Sequence, residues 1–281
     1  MTATPQLHDD ATLLAVASRA ARAGGAVLRQ HWGRLRNIRS KGRPGDLVTE
    51  ADLAAEAAVL AELRASTPEV GVLAEEGGRL GPAGGTLQWC VDPLDGTTNY
   101  AHGYPLFACS VGLLRDGVPV LGAIDAPALN EHYAGGPGLG ARCNDDDLHV
   151  SDCRSLVDAL LVTGFAYDRC EREDNNYAEF CHFTHRTRGV RRGGSAALDL
   201  AFVAAGRLDG YWERGLQPWD LAAGVALVQA AGGEVCAYDG GPLDLGDGRI
   251  VAVTPALRQL LLEGLAQCRP LPPATYLPIA P

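Results

Sequence analysis

The chain has 281 residues, 47% of them hydrophobic, and a formal net charge of -10, which suits one large domain or two closely packed halves with a substantial core. Its acidity disfavours general binding to nucleic acid or to an anionic membrane surface, whose phosphates reward the opposite sign. Eight cysteines without a C-x-x-C pair argue for reduced thiols rather than zinc or a disulfide framework, and no apolar run approaches the ~20 residues that span a bilayer.

The first segment, Met1 to Asp10, is polar and acidic, and a soluble cytoplasmic protein is expected. From about Ala11 to Trp32, apolar positions such as Leu13, Ala17, Ala21, Gly24 and Leu28 recur every three to four residues, which predicts a helix packed through small side chains. A second helix is expected from near Asp52, with Leu53, Ala57, Leu60 and Leu63 on one face. Between them, Lys41 to Asp52 reads as a loop carrying two cations and several acids, and loops of that length are often functional.

Val70 to Leu73, Leu87 to Val91, Phe107 to Leu114 and Val118 to Ile124 read as strands, the last two joined at Arg115-Asp116-Gly117, a hairpin signal. A polar, glycine-rich stretch from Gly135 to Asp147 interrupts the pattern. Beyond it, strands at Ala159 to Thr163, Gly210 to Glu213 and Ile250 to Val253 alternate with helices. The helices are placed within Glu171 to Arg186, over Ser195 to Ala205, from about Leu221 to Ala231 and after Pro255. The tail from Arg269 to Pro281 holds five prolines and should be extended. An α+β first half (1–150) followed by an α/β second half (151–281), with the boundary near 145–158, predicts alternating layers of helices and sheets.

Acids close apolar segments at three places: Glu75-Glu76 after the strand at Val70 to Leu73, Asp92 and Asp95 after Leu87 to Val91, and Asp220 after Trp219. In Asp92-Pro93-Leu94-Asp95-Gly96-Thr97-Thr98, Pro93 fixes one φ and Gly96 permits a sharp turn. Two carboxylates and the following amides can therefore face one point. Carboxylates converging from several element ends supply the oxygen-rich shell that magnesium prefers. Any one of these acids alone is more often a cap or turn residue, and Asp220 could be a helix N-cap, but three sets in one chain favour the ligand reading. A helix starting at Gly96 would point its free amides at a phosphate.

These segments resemble the inositol monophosphatase family of magnesium-dependent, lithium-sensitive phosphatases. The family's D-P-[ILV]-D-G-[ST]-[ST] appears as Asp92 to Thr98, and its W-D-x-A-A-G as Trp219 to Gly224 with Ala231-Gly232-Gly233 downstream. Asp46-Leu47-Val48-Thr49 with Asp52, Ala74-Glu75-Glu76 and Gly194-Ser195-Ala196-Ala197 follow the same order, so the likeness runs from about Ala11 to Gln267.

The resemblance implies a layered sugar-phosphatase fold and two to three magnesium ions. Glu75, Asp92 and the Leu94 carbonyl look like ligands of the first ion, and Asp92, Asp95 and Asp220 like those of the second. A weaker third ion would lean on Glu75. Gly96 and Thr97 match the amides that hold the phosphate, the Thr97 hydroxyl with Asp52 matches the pair that orients the attacking water, and Lys41 matches a lysine that helps hold phosphate or restrains its loop. The implied reaction is hydrolysis of myo-inositol monophosphate by metal-activated water, which needs no histidine. The seven histidines lie outside the acidic clusters and read as structural or surface residues.

Glu213 sits seven residues before Asp220, the family spacing for an acid that accepts hydrogen bonds from ring hydroxyls, and Gly194, Ser195 and Ala196 match the backbone lining the same pocket. A small phosphorylated polyol is therefore the expected substrate. Histidinol phosphate, sugar bisphosphates and phosphoadenosine phosphate are the alternatives, because the core motifs are nearly shared. Arg191 and Arg192 read as structural. A homodimer is expected from the resemblance, and a regulatory binding protein is the rival outside enzymes.

Overall fold

The computed structural model describes residues 9–42 and 47–271. Asp46, the first eight residues and the proline-rich tail from 272 onward lie outside the described residues.

The chain opens with helix α1 (Asp10–His31), whose first turn is closed by the Asp9 side chain accepting from the Thr12 N–H at 2.7 Å. A short hairpin follows, β1 (Ile38–Ser40) and β2 (Leu47–Thr49). Helix α2 (Glu50–Ser66) starts two residues before the expected Asp52, because Thr49 and Asp52 form a capping box in which Asp52 Oδ2 accepts from the Thr49 N–H at 2.8 Å. Such reciprocal bonding satisfies amides that the first turn would otherwise leave open. The expected loop from Lys41 to Asp52 is thus partly strand and partly helix.

Strands β3 (Gly71–Ala74), β4 (Gly78–Leu80), β5 (Leu87–Asp95), β6 (Ala108–Arg115), β7 (Val118–Ala126), β8 (Glu131–Gly136), β9 (Gly140–Cys143) and β10 (Asp146–Asp147) build an eight-stranded sheet in the order β10-β9-β8-β7-β6-β5-β3-β4. Within this sheet, among the described residues, only β3 and β5 pair in parallel. Helix α3 (Thr97–Ala101) follows β5 directly. The β6–β7 hairpin turns at Asp116 and Gly117, both with positive φ (52° and 81°), as the Asp-Gly pair predicts. The stretch from Gly135 to Asp147, expected to interrupt the pattern, instead carries the end of β8 and all of β9 and β10. A Cβ on Gly135 would lie 2.4 Å from Gly140 O and one on Gly136 2.4 Å from Val120 O. Those glycines mark close strand contact rather than a break.

The second half supplies β11 (Leu160–Thr163), α4 (Tyr177–Thr184), β12 (Gly189–Arg191), α5 (Ala196–Ala204), β13 (Gly210–Glu213), α6 (Pro218–Ala230), β14 (Glu234–Cys236), β15 (Ile250–Val253) and α7 (Arg258–Gln267). Its five strands run in the order β12-β11-β13-β15-β14. Alternation along β5 sends Trp89 and Val91 into one core with α1 and α2, and Cys90 into another with α5 and α6. That second core also takes Val162, Tyr211, Ile250 and Ala252 from the small sheet. On the small sheet's other face, Leu161, Trp212, Val251 and Val253 pack with Phe183 of α4 and Leu261 and Leu265 of α7. The layers therefore alternate helix, sheet, helix, sheet, helix, as expected.

Helix α6 lies directly on the backbone of β6 and β7. A Cβ on Gly122 would stand 2.3 Å from Ala223 Cα, and one on Gly112 2.6 Å from Ala222 Cβ. Because main chain faces main chain there, Gly122→Ala has no flexible neighbour to yield and should destabilise the fold by about 1–3 kcal/mol. An unchanged denaturation midpoint would contradict that packing.

Candidate active site

Between the two sheets, at the end of β5 and the start of α6, lies a cavity of about 620 Å³. Glu75, Asp92, Leu94, Asp95, Gly96, Thr97 and Lys41 line it on one side, and Gly194, Ser195, Ala196, Glu213 and Asp220 on the other. All the site residues expected from the sequence are thus brought together except Asp52, which is fully buried behind the wall and reaches it through Thr97.

The aspartate pair depends on a local irregularity. Residues three apart on a regular strand face opposite sides, yet Asp92 and Asp95 both meet the cavity. The register of β5 against β6 shifts between them, Asp92 opposing Ser110 and Asp95 opposing Ala108, so Pro93 and Leu94 together face the single residue Cys109. That bulge re-aims the second acid. Pro93 has no N–H to leave unpaired, and the Leu94 N–H bonds Asp92 Oδ1 at 3.0 Å. Gly96 then takes φ 89° and caps α3. A Cβ there would lie 2.9 Å from Leu106 O, so only glycine fits the turn.

Each acid is held from one side. Asp95 Oδ2 accepts from Ser195 Oγ at 2.7 Å and from the Ala197 N–H at 2.6 Å. Asp220 Oδ2 accepts from the Gln217 N–H at 2.7 Å. It stands in the first turn of α6, three residues after the cap Gln217, so it closes the helix end while still lining the cavity. Lys41 Nζ donates to Glu75 Oε1 at 2.9 Å and also to Glu76. Thr97 Oγ1 lies 3.0 Å from Leu94 O and 3.3 Å from Asp52 Oδ1, and its one proton serves a single acceptor at a time. Asn99 Nδ2 donates to Leu106 O at 2.6 Å and Gly193 O at 3.0 Å, tying α3 to the chain before α5.

Burial pushes the Asp92 carboxyl well above the carboxylate range, and the charges of Glu75, Asp95 and Asp220 add to it. Asp220 is raised by burial and by Asp95. Burial also raises Glu75, although Lys41 pulls it back, and raises Asp95 against its bonds to Ser195 and Ala197. For Lys41, burial disfavours the ammonium, but Glu75 and Glu76 overcome it and hold its pKa above the ordinary lysine value. Four crowded acids thus face a single neighbouring lysine, an excess of negative charge that a cation would relieve.

The donors are all oxygens, and no histidine or cysteine lines the cavity, which fits a hard divalent ion. Among the described residues no three His, Cys, Asp or Glu side chains stand as a closed coordination set. Glu75 is turned to Lys41, Asp95 to Ser195 and Asp220 to Gln217.

Several lining residues were not singled out in the sequence. Phe165, Tyr167 and Arg169, in the chain after β11, form one wall, and Asp168 beside them is paired with Arg214 at 2.7 Å. Trp219 and Arg192 also line the cavity, so Arg192 does not have the purely structural place read for it. No periodic signal marks this wall, which comes from a loop whose position is set by tertiary contacts. Glu213, 9% exposed, is pushed up to about 7 by burial, against the Tyr211 bond and the charge of Arg192.

A family model described as the inositol monophosphatase family matches residues 9–269. The chain is 51% identical over 255 residues to an inositol-1-monophosphatase of Synechocystis sp., covering 91% of this chain and 89% of that protein. It is 37% identical to a protein of Pasteurella multocida called Nus factor SuhB, over 91% of this chain and 96% of the relative. Among solved structures, an inositol monophosphatase from Anabaena (Nostoc) sp. superposes with a TM-score of 0.85 at 51% identity, covering 93% of this chain and 98% of that one.

Proposed function

The chain belongs to the inositol monophosphatase family, and from that premise we propose that it hydrolyses myo-inositol monophosphate to inositol and phosphate in the cavity between its two sheets. The observation that carries this reading is the lining of one cavity by Glu75, Asp92, Asp95 and Asp220 together with Glu213, with the Gly96-Thr97 turn between them.

Glu75, Asp92, the Leu94 carbonyl, Asp95 and Asp220 would hold two to three magnesium ions. Bound there, the ions supply an activated water and neutralise charge on the phosphoryl oxygens and the leaving group. The remaining steps belong to the chain itself. The Gly96 and Thr97 amides at the start of α3 hold phosphate oxygens. Thr97 Oγ1, backed by Asp52 Oδ1 at 3.3 Å, orients the water for in-line attack on phosphorus. Lys41, tied to Glu75 and Glu76, keeps its loop against the phosphate side. Ser195 Oγ donates to Asp95, an acid this reading assigns to the ions, and the attacking group in this reading is water, with no phosphoenzyme. Glu213, with the Gly194-Ser195-Ala196 segment, receives the polyol ring.

A panel of inositol 1-phosphate, histidinol phosphate, fructose 1,6-bisphosphate and phosphoadenosine phosphate, each with and without magnesium, tests the assignment. Inositol phosphate should be turned over fastest, and only with magnesium. Glu213→Gln should lower kcat/KM on inositol phosphate by about tenfold or more, because a charged acceptor for ring hydroxyls is lost, and should lower the others less. A faster rate on another ester, or a uniform loss, would move the assignment to that alcohol. The relative called Nus factor SuhB favours a second, regulatory role, which a pull-down with all metal ligands substituted would separate from catalysis. We further read the protein as cytoplasmic and homodimeric. No helix among the described residues is long and apolar enough to cross a membrane.

A further inference from the structure

We propose that Tyr211 is a specificity-determining positioning residue: its hydroxyl holds one oxygen of Glu213 and thereby fixes the other as the acceptor for a hydroxyl of the substrate's alcohol. The inference rests on the polyol-pocket reading of Glu213 and adds to it the device that makes the pocket selective.

The geometry begins with alternation along β13, which puts residues 211 and 213 on one face of the strand. Tyr211 is 0% exposed, in the core shared by the two sheets. Its hydroxyl lies 2.7 Å from Glu213 Oε2, and against a carboxylate the phenol is the donor. Among the described residues no other hydrogen-bond donor reaches the Glu213 carboxylate, so Oε1 keeps its capacity to accept while the side chain lines the cavity. On its other side the carboxylate rests on Gly164, where a Cβ would stand 2.1 Å from both Oε1 and Oε2. That floor is itself held. Asn176 Nδ2 donates to Gly164 O at 2.7 Å, and Asn176 Oδ1 accepts from Trp212 Nε1 at 2.6 Å, so the residue between Tyr211 and Glu213 is anchored to the same loop.

Glu213 is thus clamped by a phenol, floored by a glycine and open only towards the cavity. A glutamate has three side-chain torsions to order when it binds a ligand, and fixing them beforehand removes that cost from substrate binding. Tyr211 does not line the cavity and so acts through Glu213. Its removal should affect only alcohols that reach the carboxylate. An aryl phosphate, which offers no hydroxyl to it, serves as the internal control.

The test compares inositol 1-phosphate with p-nitrophenyl phosphate on the full chain with magnesium. Tyr211→Phe removes one oxygen from a buried ring and should raise KM for inositol phosphate about tenfold or more, the usual effect of losing a hydrogen bond to a charged group. Its kcat/KM on p-nitrophenyl phosphate should stay within about twofold. Gly164→Ala, which pushes the carboxylate from the opposite side, should give the same substrate-selective loss and serves if Tyr211→Phe fails to fold. Placed in a Glu213→Ala background, Tyr211→Phe should change neither ester by more than about twofold, since the group it positions is gone. Equal losses on both esters, an unchanged KM for inositol phosphate, or losses that add in the Glu213→Ala background would overturn the clamp alone. A wild-type protein active on the aryl ester but inert on every polyol phosphate would overturn the pocket reading beneath it.

Discussion

Asp92→Asn should reduce kcat/KM on inositol phosphate by about 10³ or more, roughly 4 kcal/mol of transition-state stabilisation, while leaving the cation-free protein no less stable than the wild type. The two halves have the same origin. Asp92 is expected to bridge two ions, so an amide in its place removes a charged donor from both shells. In the absence of cations that carboxylate is 3% exposed and raised by burial and by Glu75, Asp95 and Asp220, so its charge opposes folding. Asparagine retains the oxygen that accepts from the Leu94 N–H at 3.0 Å, which keeps the bulge in β5 intact. Sites that crowd like charges for function commonly trade stability in this way. Steady-state kinetics on folded variant, together with melting curves in chelator, check both halves. A variant within tenfold of wild-type activity would remove Asp92 from the centre of the site.

Much of this was legible in the sequence, and the parts that were not share a cause. The α1 periodicity, the Asp-Gly hairpin and the run from Asp92 to Thr98 are local signals, readable because the residues that make them are neighbours in the chain. Strands β9 and β10 were hidden because the glycines that read as breakers are there to admit adjacent backbone, which only the neighbouring strands reveal. Helix α6 begins at Pro218 rather than near Leu221, since a proline at the first helical position is a start signal that the search for apolar spacing passes over. In the candidate site, Glu75, Asp92, Asp95 and Asp220 were read from their place at element ends, and Asp52 and Glu213 only from the family resemblance. Tyr211 and Asn99 were not found, because a positioning role is defined by its partner. The sequence cannot state that Tyr211 meets Glu213 at 2.7 Å or that Asn99 spans to Gly193.

The interleaving of the layers explains why the candidate site sits where it does. Helices α5 and α6 lie between the sheets and share one core with both. Their first turns therefore bring Ser195, Ala196 and Asp220 from the second half of the chain onto the end of β5 from the first. The same layer that joins the two halves closes the site, so damage to the α6 contact at Gly122 should also displace Asp220.

Stripping divalent cations should abolish phosphate release and lower the melting temperature, and magnesium should restore both. With Asp92, Asp220 and Glu75 raised above their ordinary range by burial and by neighbouring acids, and Asp95 by burial, the cation-free cluster is a source of repulsion that Lys41 and the bonds from Ser195, Ala197 and Gln217 offset only in part. A ligand that binds only the folded state adds about 2.7 kcal/mol at a hundred times its dissociation constant, which for a chain of this size is a shift of roughly 5–10 °C. The shift separates two explanations of lost turnover. If magnesium acts through these carboxylates, Asp92→Asn should lose the melting shift along with the activity. If magnesium instead only accompanies the substrate phosphate, the ligand-free protein should melt at the same temperature with or without it. Full turnover in excess chelator would end the metal reading altogether and leave the acids as a structural cluster in need of another account.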